Sequence, residues 1–117
     1  MRKAYVYVSG PISSDPFGNM VRGMETWNKF WGTGLILPFI PQLSVIQNLH
    51  HWRPHDEWLE YDLGILPRFD ALFRLPGESV GADKEVAFCM ERGIPVFYDE
   101  EKLFRWANLL AGGGRNG

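Results

Sequence analysis

Two carboxylates in this chain sit where carboxylates are costly. Along His55 to Leu66, stepped at about 100° per residue, Trp58, Leu59, Ile65 and Leu66 share one apolar arc. Asp62 falls inside that arc, away from the charged side with Glu60. Along Ser79 to Arg92, Ala82, Val86, Cys89 and Met90 make an apolar stripe with Glu85 at its edge, while Lys84 and Glu91 point away. A carboxylate buried without a partner is strongly penalised or becomes protonated. Taken singly, Asp62 could bond backbone amides or an arginine, and Glu85 could form a boundary salt bridge. Together, two carboxyls of perturbed ionisation are the material of general acid–base catalysis.

The segments around them add polar and small residues. Gly77-Glu78-Ser79-Val80-Gly81-Ala82 precedes the Glu85 helix: Ser79 can cap it, and Gly81 and Ala82 leave room above its first turn. A helix N-terminus of this kind suits an anion such as phosphate. Tyr7, Ser9, Gly10, Pro11 and Ile12 form a second candidate contact region. Trp52 could stack on a flat ring. His50, His51, His55 and Asp56 resemble a metal cluster, but Pro54 interrupts any helix between them and the glutamate of H-E-x-x-H is missing, so no metal is expected. Gly112 to Gly117 spells G-x-G-x-x-G without a strand before it or a helix after it, which removes the dinucleotide reading. Cys89, on the apolar stripe, reads as packing.

Periodicity supplies the elements that must position these groups. Ala4 to Ser9 is a Val- and Tyr-rich strand stopped by Gly10-Pro11. Met20, Met24, Trp27 and Trp31 recur at helical spacing and predict a helix over about 19–31. Leu35 to Leu37 predicts a short strand closed by Pro38, and residues 39–54 a long loop with at most a helical turn. A helix over 55–66, a strand over 71–75, a helix over 79–92, a strand over 95–98 and a helix over 100–110 follow. Strands alternating with helices imply a parallel sheet covered on both faces. Ligands of such sheets sit beyond the carboxyl ends of the strands, at a switch in strand order.

The 117 residues fit one domain, spanning 1–111, with a flexible Gly-rich tail over 112–117. A net charge of −2 gives no basic surplus for a nucleic acid polymer. No run approaches the roughly 20 apolar residues of a membrane span, and Tyr5 to Val8 is too short for a signal peptide core. One cysteine permits no internal disulfide, so a cytoplasmic protein is expected. Aromatic residues are plentiful, with five tryptophans.

Three blocks resemble the nucleoside 2-deoxyribosyltransferase-like superfamily. They are Tyr7-x-x-Gly10-Pro11-Ile12, then Trp58-x-x-x-Asp62 leading to Phe69-Asp70-Ala71, and Ser79-x-Gly81-Ala82-x-x-Glu85 with Gly93-Ile94-Pro95-Val96. The third block is the most specific. Leu75 to Glu85 is similar to the L-P-G-x-S-x-G-A-x-x-E segment of a small phage and bacterial branch. The resemblance implies a Rossmann- or flavodoxin-like three-layer α/β sandwich with four or five mainly parallel strands. It also implies N-glycosidic chemistry without metal or organic cofactor: Glu85 as nucleophile at C1′, Asp62 assisting the leaving base, and Tyr7 orienting the nucleophile. Serine six residues before the glutamate, as at Ser79, matches the superfamily's deoxynucleoside 5′-monophosphate N-glycosidases, whereas nucleoside transferases tend to carry aspartate there. Hydrolysis is therefore expected, with base exchange and non-catalytic nucleotide binding as alternatives. The partner is a nucleoside or nucleotide, and a homodimer or larger homo-oligomer is implied.

Overall fold

In a computed structural model describing residues 2–112, the chain forms an α/β sandwich around a four-stranded parallel sheet. Strands β1 (Ala4–Ser9), β2 (Ile36–Phe39), β3 (Ala71–Arg74) and β4 (Val96–Phe97) run in the order β2-β1-β3-β4. Helices α1 (Pro16–Gly32), α2 (Ser44–His50), α3 (His55–Ile65), α4 (Val80–Arg92) and α5 (Glu100–Leu110) connect or flank them. The sheet thus has four strands, all of those described being parallel. The tail expected to be flexible lies, beyond Gly112, outside the described residues.

Alternation in β1 divides the core. Val6 and Val8 pack with Phe30, Phe73, Leu103 and Ala107 on the face covered by α1 and α5. Tyr7 packs with Leu66, Leu72 and Cys89 on the opposite face. Helices cover both faces, which is the condition that favours parallel pairing.

Local chemistry sets the element ends. Asp15 caps α1, its Oδ1 accepting from Gly18 N–H at 3.3 Å, and Pro16 opens the helix. The helix therefore begins three residues before the predicted Asn19. Its inward face is Asn19, Met20, Gly23, Thr26 and Phe30, rotated by roughly a quarter turn about the axis from the predicted stripe, so that Met24 and Trp31 are exposed. Trp31 stacks on Trp27 with ring centroids 5.7 Å apart, and Lys3 lies over it. Strand β2 runs through Pro38 instead of ending there, because β2 is an edge strand and one missing N–H is harmless on its open side.

The largest departure is residues 39–54. Where a loop is predicted, a 3₁₀ turn at Pro41–Leu43 leads directly into α2. Its apolar residues face both ways: Val45 is buried while Ile46 and Leu49 are exposed, which erases the helical period. On α4, Ser79 is the N-cap, accepting from Ala82 N–H at 3.1 Å, and Gly93 closes the helix with φ +71°. Its buried stripe is Ala82, Glu85 and Cys89, while Met90 is exposed. The chain leaves β1 toward β2 and leaves β3 toward β4, so a crevice opens beyond the adjoining carboxyl ends of β1 and β3. Among the described residues no helix is long and apolar enough to cross a membrane.

Candidate active site

Glu85 is centred over that crevice, one turn into α4 and buried. Its carboxylate receives two short hydrogen bonds from β1. The Tyr7 hydroxyl donates to Oε2 at 2.6 Å, and the Ser9 hydroxyl donates to Oε1 at 2.6 Å. Tyr7 and Ser9 are two residues apart on one strand and so share a face. The strand therefore presents two hydroxyls to the two oxygens of one side chain. Burial raises the Glu85 pKa, while Ser9, Tyr7, Arg74 and His55 oppose that rise by favouring the charged form.

Asp62 reaches the same place from α3 and is likewise buried. Burial first and the Glu85 charge second raise its pKa to about 7. The two carboxyls thus divide: one is held by hydroxyl donors and a nearby guanidinium, and the other keeps a proton near neutrality. Tyr7 stays neutral, its ionisation pushed well above the ordinary phenol range by burial and then by Glu85 and Asp62. Burial also lifts the Cys89 thiol to about 11, which leaves it protonated and inert as a nucleophile.

Both carboxyls line a cavity of about 510 Å³. One wall is the first turn of α4 with Ser79, Gly81 and Ala82, and another is Gly10, Pro11 and Ile12 after β1. Trp52, Arg53, His55 and Trp58 close the third side. Asn48 organises that side, its Oδ1 accepting from Arg53 N–H at 3.0 Å and from Trp58 Nε1 at 2.8 Å. The His55 ring lies over Gly81: a Cβ there would meet His55 Cε1 at 3.2 Å. A second cavity of about 400 Å³, walled by Phe39, Ile46 and Tyr61, shares Ser44, Trp58 and Asp62 with the first.

The structure brings Tyr7, Asp62 and Glu85 together, and nearly all the expected binding residues line the cavity. Trp52 does so from the rim, largely exposed. Ser9 differs: it is fully buried behind Glu85, its hydroxyl committed to the carboxylate rather than facing the cavity. His50 ends α2 and His55 begins α3, and among the described residues no three His, Cys, Asp or Glu side chains gather as metal ligands.

Sequence reasoning missed Arg74, Arg53 and Asn48, and it named His55 only within a metal-like cluster. Arg74 had one usable signal, a charged residue ending an otherwise apolar buried strand. Comparison of the chain with protein-family models, with curated proteins and with solved structures finds no match.

Proposed function

We propose that this protein hydrolyses the N-glycosidic bond of a (deoxy)nucleoside 5′-monophosphate, with Glu85 as nucleophile and Asp62 as proton donor. The carrying observation is the pair itself: Glu85 clamped by two hydroxyls and the buried Asp62, lining one cavity. In the first step a Glu85 oxygen bonds C1′ as the C1′–N bond breaks. Its electron pair goes to the base nitrogen, and Asp62 delivers its proton to the base. In the second step water attacks C1′ and gives a proton to Asp62, and the C1′–Glu85 bond breaks with its electrons returning to the carboxylate. The Tyr7 and Ser9 donors stabilise that returning charge.

The α4 N-terminus supports a phosphate on the substrate. Ser79 Oγ accepts from Ala82 N–H, which leaves its own proton free to donate to an anion. The His55 ring lies over Gly81 beside it, and Arg53 lines the same cavity. The leaving base fits the Asp62 side, where Trp58 and the adjoining cavity offer aromatic surface. A second copy over the open rim, where Trp52 and Val80 are exposed, belongs to the same reading.

The test is incubation of the purified protein with each deoxynucleoside 5′-monophosphate, with free base followed by chromatography. Base release that is lost in Glu85→Gln supports the reading, and release that survives Glu85→Ala overturns the mechanism. Thermal stabilisation by nucleotide without any product, retained in Glu85→Gln, would make the protein a binding module instead. A new nucleoside formed when a second free base is added would make it a transferase.

A further inference from the structure

Three polar side chains stand side by side on the sheet face beneath α4. Tyr7 and Ser9 come from β1; Arg74, the last residue of β3, is in register with Ser9 and shares its face. Arg74 is only 8% exposed. A buried guanidinium is costly unless its donors are used, and here they are spread over one loop. Its NH1 donates to Leu75 O, and its NH2 donates to Gly77 O at 2.9 Å and to Asp83 Oδ1 at 3.0 Å. Those acceptors bracket Ser79, the cap of α4. Asp83 itself is an exposed partner, its side chain 72% accessible, so screening by water leaves most of the buried charge uncompensated on that side. Glu85, from the same helix, is buried and accepts from Ser9, the register partner of Arg74.

We propose that Arg74 is the positioning residue of this site, fastening the β3–α4 loop around Ser79 and supplying the buried cation that balances the Glu85 carboxylate. The catalytic part of this inference rests on the glycosidase reading; the electrostatic part does not. The titratable and charged groups facing Glu85 are Tyr7 from β1, Asp62 and His55 from α3, Arg74 from β3 and Cys89 from α4. Tyr7 and Cys89 stay neutral, Asp62 keeps its proton near neutrality, and His55 is exposed. Arg74 is the permanent buried cation of the set. Lysine at this position keeps a charge but loses the planar fork that reaches two carbonyls and a carboxylate together. The two roles therefore separate by substitution.

The experiment compares wild type, Arg74→Met and Arg74→Lys in two measurements. The first is the NMR titration of the Glu85 carboxyl in carbon-labelled protein, assigned by its loss in Glu85→Gln. The second is kcat/KM against pH with deoxynucleoside 5′-monophosphates. In Arg74→Met the Glu85 midpoint moves up, the acid limb of the profile moves with it, and kcat/KM falls on the order of 100-fold. In Arg74→Lys the midpoint stays near wild type while kcat/KM still falls. An unchanged midpoint in folded Arg74→Met overturns the electrostatic role, and a wild-type rate in Arg74→Lys overturns the positioning role. If Arg74→Met does not fold, Arg74→Gln, which keeps donors without charge, carries the same titration. Absence of turnover in the wild type would defeat the glycosidase reading and leave the titration to decide the rest.

Discussion

The Tyr7 hydroxyl and the Glu85 carboxylate meet at 2.6 Å inside the protein, with Tyr7 fully buried and Glu85 nearly so. Because Tyr7 ionises only well above the ordinary phenol range, it is a donor at neutral pH. The bond favours the charged form of Glu85, and Ser9 repeats the effect at the other oxygen.

Tyr7→Phe should therefore leave the fold intact while impairing the site. The ring keeps its packing between Phe39 and Phe69, each with centroids 5.5 Å away. The lost charge-assisted bond should cost about 1.5–3 kcal/mol in urea unfolding at neutral pH. Base release should fall on the order of 100-fold, as for removal of one preorganised donor. The acid limb of the pH–rate profile should move up, since one of the groups that holds Glu85 ionised is gone.

Asp62→Asn should change how pH affects both rate and stability. The proposed active form has Glu85 ionised and Asp62 protonated, so the wild-type rate should fall as pH rises through about 7. The variant should lose that limb together with most of its rate. For stability, the folded pKa of Asp62 lies above its unfolded value of 3.8. The native state binds the extra proton in that window, so stability declines as pH rises from about 4 to about 7. Asparagine has no proton to lose, so this part of the decline should vanish, and the variant should gain on wild type between pH 5 and pH 8 by an amount on the order of 1–3 kcal/mol. Melting temperatures across that range check it.

The positions of Glu85 and Asp62 were legible because a carboxylate within an apolar helical arc breaks the pattern. The strand–helix alternation was equally legible, since each buried strand reads as an apolar run between breakers. Three features were hidden for physical reasons. Helix α2 exposes Ile46 and Leu49, so its sequence lacks the one-sided period that marks a helix. Pro38 reads as a strand end unless β2 is known to be an edge, which is a property of the whole sheet. The role of Ser9 depends on β1 lying beneath α4, a contact spanning 76 residues of sequence separation. Pairing across the fold, not local preference, decides such roles.

Gly77→Ala should disturb the loop that Arg74 fastens. Gly77 has φ +113°, a region that side chains disfavour, and a Cβ there would sit 2.8 Å from Pro11 Cγ. The backbone strain alone costs about 1–3 kcal/mol, and the clash with a stiff ring adds to it. Pro11→Ala in the same chain should recover the clash but not the strain. Chemical denaturation of the two single variants and the double variant measures that coupling.

Ser79 offers the sharpest test of what the α4 terminus binds, because cap and ligand contact can be separated there. Ser79→Ala loses the bond from Ala82 N–H and should cost about 1 kcal/mol of stability. Ser79→Asp retains an N-cap acceptor and a charge that suits the helix dipole, so its stability should equal or exceed wild type. An aspartate carboxylate, however, has no proton to offer a phosphate and repels it. Deoxynucleoside 5′-monophosphates should therefore raise the melting temperature of the wild type but not of Ser79→Asp. The corresponding nucleosides should affect both alike. Wild-type stabilisation of Ser79→Asp by the monophosphates would place the phosphate away from Ser79 and leave Arg53, which lines the same cavity, as its anchor.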